Sequence, residues 1–508
     1  MISKLYSAAL IGLDSELIEV EADLISSYTP GIFIVGLPDK AVEESKERIR
    51  SAIKNSRLSL PRKRIVINLA PADLKKQGPA YDLPIAVSIL LAQEEIKFNF
   101  DYQKCLFVGE LALDGRLRNV NGILSVASMA KDRGIKTLFL PKINAAEASL
   151  IPGLSIIPLN NLEELILHLN QDKKIKPLTG RKSKLKIDFD NYHYDMAYIK
   201  GQEQAKRALE IAAAGGHNLV MSGPPGSGKT LLARTMPSIL PTMNLDEALE
   251  VTKIYSVAGL LPLSQPLLTS RPFRNPHHSA SAVSLVGGGS WPRPGEVSLS
   301  HRGVLFLDEF CEFPRSVLEN LRQPLEDGFV TISRAAGTSR FPARFILVAA
   351  MNPCPCGYST DPSHDCGCTP FQIINYQRKI SGPLMDRIDL HIDVPKIKFD
   401  KLSAEKLAEP SKTIRGRVEQ ACQLQKKRFA DQKIFFNSEM QSQQIKKFCQ
   451  IDSACQKMLK DAVEKMRLSA RAYFRILKLS RTIADLAGNG QIKVEHLAEA
   501  LQYRPRVD

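Results

Sequence analysis

The sequence predicts a multidomain α/β protein in three blocks, and three observations carry that prediction. A length of 508 residues is enough for about three ordinary domains. Short β-type apolar runs alternate with helical ones as far as Pro395, and beyond Leu402 the pattern turns almost wholly helical. Gln171 to Asp190 carries seven Lys/Arg among twenty residues and few large apolar side chains, which reads as an exposed basic linker. The expected organisation is a first block at 1–170, a linker at 171–195, a second block at 196–400 and a third at 401–508.

In the first block Leu17–Leu24, Ile32–Val35 and Ile65–Leu69 read as strands, and Asp39–Asn55 and Pro84–Leu91 as helices. In the second, Asn218–Ser222, Gly303–Leu307 and Phe345–Ala350 are short apolar strands separated by helical patterns, which suggests a parallel sheet between helices. The third block offers helices at Met458–Met466 and Ala470–Leu486.

Composition narrows the class. No apolar run approaches the roughly 18 residues of a membrane span. Met1–Leu13 reads poorly as a leader, because Asp14, Glu16, Glu19 and Glu21 follow at once. A cytoplasmic protein with no membrane partner is expected. The balance of 69 Lys+Arg against 54 Asp+Glu gives +15, which invites a polyanion such as nucleic acid. Nine cysteines, an odd number with four crowded together, fit reduced thiols and a metal site better than a disulfide framework.

The chemistry concentrates in the second block. Gly223, Pro224, Pro225, Gly226, Ser227, Gly228, Lys229 and Thr230 follow a strand directly and open a helix, which makes G-x-x-x-x-G-K-T a phosphate-binding loop. Its glycines let backbone N–H groups converge on phosphate oxygens, with the helix N-terminus adding positive potential. Lys229 is expected on the β- and γ-phosphates of ATP and Thr230 on Mg²⁺. Asp308 and Glu309 end an apolar strand, the first suited to hold Mg²⁺ and the second to polarise an attacking water. Asn352, delivered by the next strand, could orient that water, although an Asn before Pro is also a common turn residue.

Cys354, Cys356, Cys366 and Cys368 form two C-x-C pairs in an insertion at 354–368. Four thiolates can close a tetrahedral structural Zn²⁺ site, with His364 able to replace one; reduced cysteines or a redox pair are the alternative. His277 and His278 lack an evident third ligand and read as structural or substrate contacts.

Together with Leu384-Met-Asp-Arg387-Ile-Asp389, these motifs resemble the AAA+ ATPases of the magnesium-chelatase-like branch. Phe273–Ser279, Gly287–Gly289 and Arg302–Glu309 look like the YifB/ComM family. The resemblance implies an AAA+ core, a helical C-terminal lid, and a ring, usually hexameric, whose ATP sites are shared between neighbours. Arg387 matches the family's arginine finger and Arg471 its sensor-2 arginine, which couples the lid to nucleotide; a surface ion pair is the plainer reading of each.

Gly328–Arg334 and Arg340–Arg344 flank a small-residue turn, so a hairpin is expected there with basic residues near its tip. In related AAA+ helicases such a hairpin grips the nucleic-acid backbone in the ring's channel, which makes Arg334 and Arg340 the expected DNA contacts. An ordinary solvated hairpin is the alternative.

Lys76–Ala80 and Glu110–Arg118 resemble Lon-type protease domains, implying a Lon-like (S5-like) α+β fold for the first block. The family's Ser–Lys dyad is missing: Gly78-Pro79 is followed by Ala80, and the lysine's region reads Asn121-Gly-Ile-Leu-Ser125, so no nucleophile is expected. A similar inactive domain occurs in the RadA branch-migration proteins. The ComM resemblance implies an ATP-driven helicase on single-stranded and branched DNA, promoting branch migration when transforming DNA recombines. The alternatives are a magnesium-chelatase-type motor subunit, although chelatase motors as a family lack a Lon-like first block, and another protein-remodelling ATPase.

Overall fold

The computed structural model describes residues 2–96, 101–179, 193–289, 291–334, 337–397, 407–432, 434–466 and 468–505. Part of the expected linker (180–192) and the boundary expected near 400 lie outside these residues.

The first block is built on an eight-stranded mixed sheet. Its strands are β1 (Ile2–Ile11), β2 (Asp14–Ile25), β3 (Gly31–Val35), β4 (Arg64–Ala70), β5 (Cys105–Phe107), β8 (Thr137–Pro141), β9 (Ser155–Leu159) and β10 (Leu178–Thr179). The short pair β6 (Glu110–Leu111) and β7 (Leu117–Arg118) stands apart from it. In the order β10-β9-β8-β5-β1-β2-β4-β3, the segment weighed as a leader is a central strand.

β1 and β2 form a long antiparallel hairpin that turns through Gly12, whose φ of 62° favours a residue without Cβ. The strict alternation of Ile18, Val20 and Ala22 turns one face of β2 inward. Helix Asp82–Ala92 lies on β1 and β2, with Lys40–Asn55 packed against it. Helix Ile123–Asp132 joins the separate core formed with Ala8, Leu106, Leu138 and Ile156.

At the positions where a protease dyad is absent from the sequence, Ala80 packs against the core containing Ile123 and Val126. Ser125 Oγ is spent on the Leu13 carbonyl at 2.7 Å. Asp82, three residues past Pro79, is buried in a two-point pair with Arg48 at 2.7 and 3.0 Å.

The second block is a five-stranded parallel sheet in the order β12-β15-β18-β11-β19. Its strands are β11 (Leu219–Ser222), β12 (Phe273–Arg274), β15 (Val304–Leu307), β18 (Ile346–Met351) and β19 (Leu390–Asp393). Two hairpins project from it, β13 (Gly287–Gly288) with β14 (Arg293–Pro294), and β16 (Phe329–Arg334) with β17 (Gly337–Pro342).

Among the described residues, the helices after residue 407 share a core with the second block. Ile414, Val418, Ile476, Leu479 and Ile483 pack in one apolar cluster with Ala208, Leu219 and Val348. Buried polar links reinforce it: His217 bridges Asp389 (3.2 Å) and Thr482 (2.8 Å), and Gln425 donates to the Ala214 carbonyl at 2.8 Å. The first block also docks on the second. Gly122 N donates to the Ser256 carbonyl (3.1 Å), Lys253 pairs with Asp14 (3.0 Å), and Ser256 Oγ meets the buried Glu147 carboxylate.

Candidate nucleotide site

Parallel register brings the ends of three strands together. Ser222 lies opposite Met351, and Leu307 opposite Ala349, so the residues following β11, β18 and β15 share one edge of the sheet. Lys229 Nζ donates to the Gly223 carbonyl (2.7 Å), the Pro224 carbonyl (2.9 Å) and Asn352 Oδ1 (3.3 Å). Burial pulls the Lys229 pKa below its ordinary value, and Asp308 opposes that pull. Thr230 Oγ1 donates to Asp308 Oδ2 at 2.8 Å, and the Glu309 backbone N–H caps Asp308 Oδ1 at 3.0 Å. The expected cluster of Lys229, Thr230, Asp308, Glu309 and Asn352 is therefore gathered in one place.

The loop fits a triphosphate. Gly226 and Gly228 have φ of 74° and 91°, and the space a Cβ would take at each is open. Ser227 Oγ is buried with no hydrogen-bond partner. Helix Lys229–Ile239 starts at Gly228 with no side-chain cap, so its first N–H groups face the loop unclaimed. Thr230 and Asp308 supply the oxygens suited to Mg²⁺, which when bound neutralises charge on the β- and γ-phosphates.

Three contacts here were not legible in the sequence. His278 Nδ1 lies 2.9 Å from Glu309 Oε2, which gives one member of the unassigned His pair a place beside the expected base. Gln202, ahead of helix Glu203–Gly215, donates to the carbonyls of Ser227 (3.3 Å) and Pro395 (2.6 Å) and ties the loop to the end of β19. Gly357 lies so close to the loop that a Cβ there would come within 2.6 Å of Pro225 Cδ. The Cys-rich insertion is thus packed directly on the phosphate-binding loop.

Within that insertion the Cys354, Cys356, Cys366 and Cys368 sulfurs all lie within 4.8 Å of one another, three of the pairs at 3.4, 3.6 and 3.8 Å. Tetrahedral thiolates about 2.3 Å from zinc are about 3.8 Å apart, so the set fits the ion. His364 is not part of this cluster, contrary to the substitute role considered for it. Its ring stacks on Tyr358 at 4.8 Å and its Nδ1 faces Asp361 at 3.6 Å.

The two arginines lie elsewhere. Arg387 and Asp389 precede β19, and Leu390 is opposite Leu219 at the start of β11, so this is the edge of the sheet away from Lys229. Four residues of strand put the two edges roughly 13 Å apart. A cavity of about 790 Å³ opens there, lined by Asn218, Glu326, Arg387, Asp389, Arg471 and Arg475 among others. Arg387 is 5% exposed and pairs with Glu326, while its Nη1 donates to the Pro383 carbonyl at 2.6 Å. Arg471 reaches the other Glu326 oxygen at 3.5 Å. Its neighbours are engaged: Arg475 binds Asp389 (2.7 Å) and Arg481 binds Asp485 (3.0 Å). Arg471, expected to couple the lid to nucleotide, stands with Arg387 on the wall of this cavity.

The expected hairpin is present as β16 and β17, and its ladder extends further into the small-residue stretch than expected. Thr338 and Ser339 pair within the ladder, opposite Ser333 and Ile332. Arg340 is therefore drawn back from the tip to face Thr331, with its guanidinium 3.3 Å from the centre of the Phe329 ring. The strand backbone of Arg334 ends beside the turn, and its side chain lies outside the described part. The opposite face is covered: Ser339 touches the β1–β2 turn at Gly12, and Phe341 is fully buried.

Residues 195–402 match the family model described as magnesium chelatase, subunit ChlI, and 408–504 the model for that subunit's C-terminal part. Residues 20–144 match a model described as subunit ChlI of Mg-chelatase, so the first block does not by itself set the chain apart from chelatase-type proteins. The chain is 44% identical over 504 residues to competence protein ComM of Haemophilus influenzae, covering 99% of this chain and 97% of that protein. It is 42% identical to the uncharacterized protein YifB of Escherichia coli, covering 99% and 97%. A partial likeness to Lon protease of Mycoplasmopsis agalactiae, 23% identical, covers 33% of this chain and 18% of that one. The nucleotide-type loop, the parallel sheet behind it and similarity along the whole length lead to one assignment: the chain belongs to the YifB/ComM family of magnesium-chelatase-like AAA+ ATPases.

Proposed function

We propose that the protein is an ATP-driven ring motor, a hexamer, that translocates on single-stranded and branched DNA and promotes branch migration during recombination of incoming DNA. One observation carries the shared site: the phosphate-binding loop and Arg387 occupy opposite edges of one sheet, so a chain cannot bring its own arginine to its own nucleotide. A neighbour's Arg387 and Arg471 complete the site. In it, Lys229 and the loop N–H groups hold the phosphates, Thr230 and Asp308 hold Mg²⁺, Glu309 takes the proton of the attacking water, and Asn352 orients that water. The arginines stabilise the charge that develops on the transferred phosphoryl group.

DNA enters the reading through the +15 charge, the hairpin bearing Arg334 and Arg340, and the printed name of the ComM relative. The first block acts as a Lon-like domain without a dyad, in assembly or in DNA work. Zn²⁺ on the four cysteines fixes the insertion against the phosphate-binding loop. ATP hydrolysis measured with and without single-stranded and four-way-junction DNA, at low and moderate salt with Lys229→Ala as the blank, tests this. Stimulation that fades with salt is expected. The chelatase descriptions of the matching models favour a second reading, a motor subunit of metal insertion, and an ATPase indifferent to every DNA would bring it forward.

A further inference from the structure

Glu326 belongs to none of the motifs above, yet its two carboxylate oxygens are divided between two guanidinium groups, those of Arg387 and Arg471. Arg387 beside it holds the Glu326 carboxyl below the usual carboxylate range, although burial opposes the shift. Arg387 keeps a buried donor in reserve, its Nε, with no partner, on the wall of the cavity. Arg475 is taken by Asp389 and the Arg387 carbonyl and does not compete for the carboxylate. Glu326 lies on the short helix Arg322–Asp327, which ends at Gly328 and passes straight into β16 of the hairpin.

We propose that Glu326 is a positioning residue that holds Arg387 and Arg471 as a pair at the subunit edge, and that the terminal phosphate of a neighbour's ATP displaces its carboxylate from them. The inference rests on the shared-site reading and adds the group that occupies the arginines before the neighbour's nucleotide does. A carboxylate and a phosphate present oxygens that the guanidinium fork accepts equally well, and the phosphate carries more charge. The exchange leaves neither arginine uncompensated in either state, which matters for a guanidinium as buried as Arg387. When Glu326 is released, its helix is free to shift, and the first residue it moves belongs to the hairpin. Nucleotide exchange at one edge is thereby linked to the element expected to grip DNA.

The test is the affinity of the full-length oligomer for a non-hydrolysable ATP analogue, which needs no turnover. Glu326→Gln keeps the shape and removes the competing charge, so binding tightens, by roughly fivefold. Glu326→Ala tightens it too, and serves if the Gln variant folds poorly. In an Arg387→Ala, Arg471→Ala background, Glu326→Gln makes no difference. A merely structural Glu326 would give weaker binding and a lower melting temperature. Unchanged or weakened binding in folded Glu326→Gln and Glu326→Ala, while loss of the arginines impairs hydrolysis, overturns this proposal and leaves the shared site standing. If loss of both arginines changes neither affinity nor hydrolysis, the shared site falls and this proposal with it.

Discussion

The two edges of the five-stranded sheet differ in completeness. At the edge where β11, β15 and β18 end, the cluster's side chains pair within it, Lys229 on two loop carbonyls and Asn352, Thr230 on Asp308, His278 on Glu309, while Ser227 Oγ in the loop is left without a partner. At the other edge a cavity is walled by arginines, one of which keeps a buried N–H without a partner. The first edge is arranged to receive a ligand from solution. The second is arranged to receive something anionic that the chain itself supplies only in part, through Glu326. On the proposed shared site, one chain supplies the loop that holds the nucleotide and hydrolysis needs the arginines of a second.

That contrast can be broken most forcefully at the second edge. Arg387→Ala should leave nucleotide binding measurable while hydrolysis falls by roughly 10³–10⁵, the range of an arginine finger. Hydrolysis that fell no further than binding would put Arg387 in the cradle instead. At the first edge Glu309→Gln should bind ATP and hydrolyse it roughly 10²–10⁴ times more slowly, as expected for loss of a general base. Wild-type turnover in that variant would remove Glu309 from the role. Metal analysis of protein purified without chelator should find zinc near one equivalent per chain, and Cys354→Ser should lower it and slow hydrolysis through the contact of Gly357 with Pro225. A metal-free wild type with full activity would contradict this.

The smallest effect is a pH dependence. Burial alone would raise the Asp389 pKa, but Arg475, His217 and Arg504 together hold it well below the carboxylate range. Its folded pKa lies below the unfolded value of about 4, so its stabilisation is present above that pH and is lost as pH falls through and below it. The melting-temperature gap between wild type and Asp389→Asn should be constant above about pH 5 and narrow in acid. A gap that widens in acid would reverse the sign.

The difference between the edges is also a difference in legibility. The phosphate-binding loop, Asp308, Glu309 and Asn352 each follow a short apolar strand, and local sequence order together with parallel register is enough to converge them. Glu326 meets Arg387 across 61 residues and Arg471 across 145, and no local pattern announces such a pair. His278 is 31 residues from Glu309, on a segment with no periodicity of its own. Arg340 was misplaced because small residues read as turn, whereas Thr338 and Ser339 are ladder residues with one face against the first block. In β1, Lys4 and the serines at 3 and 7 dilute the apolar signal of a strand that is central to its sheet.

The central claim is that one chain's phosphate-binding loop works with another chain's arginine, and mixing two inactive chains tests it most directly. Lys229→Ala lacks the loop cation but keeps Arg387, and Arg387→Ala lacks the arginine but keeps the loop. Each alone should hydrolyse ATP at close to the background rate. Co-assembled, they should recover part of the wild-type rate, because some junctions join an intact loop to an intact arginine. A mixture no more active than its components, in rings shown to contain both chains, would contradict the shared site.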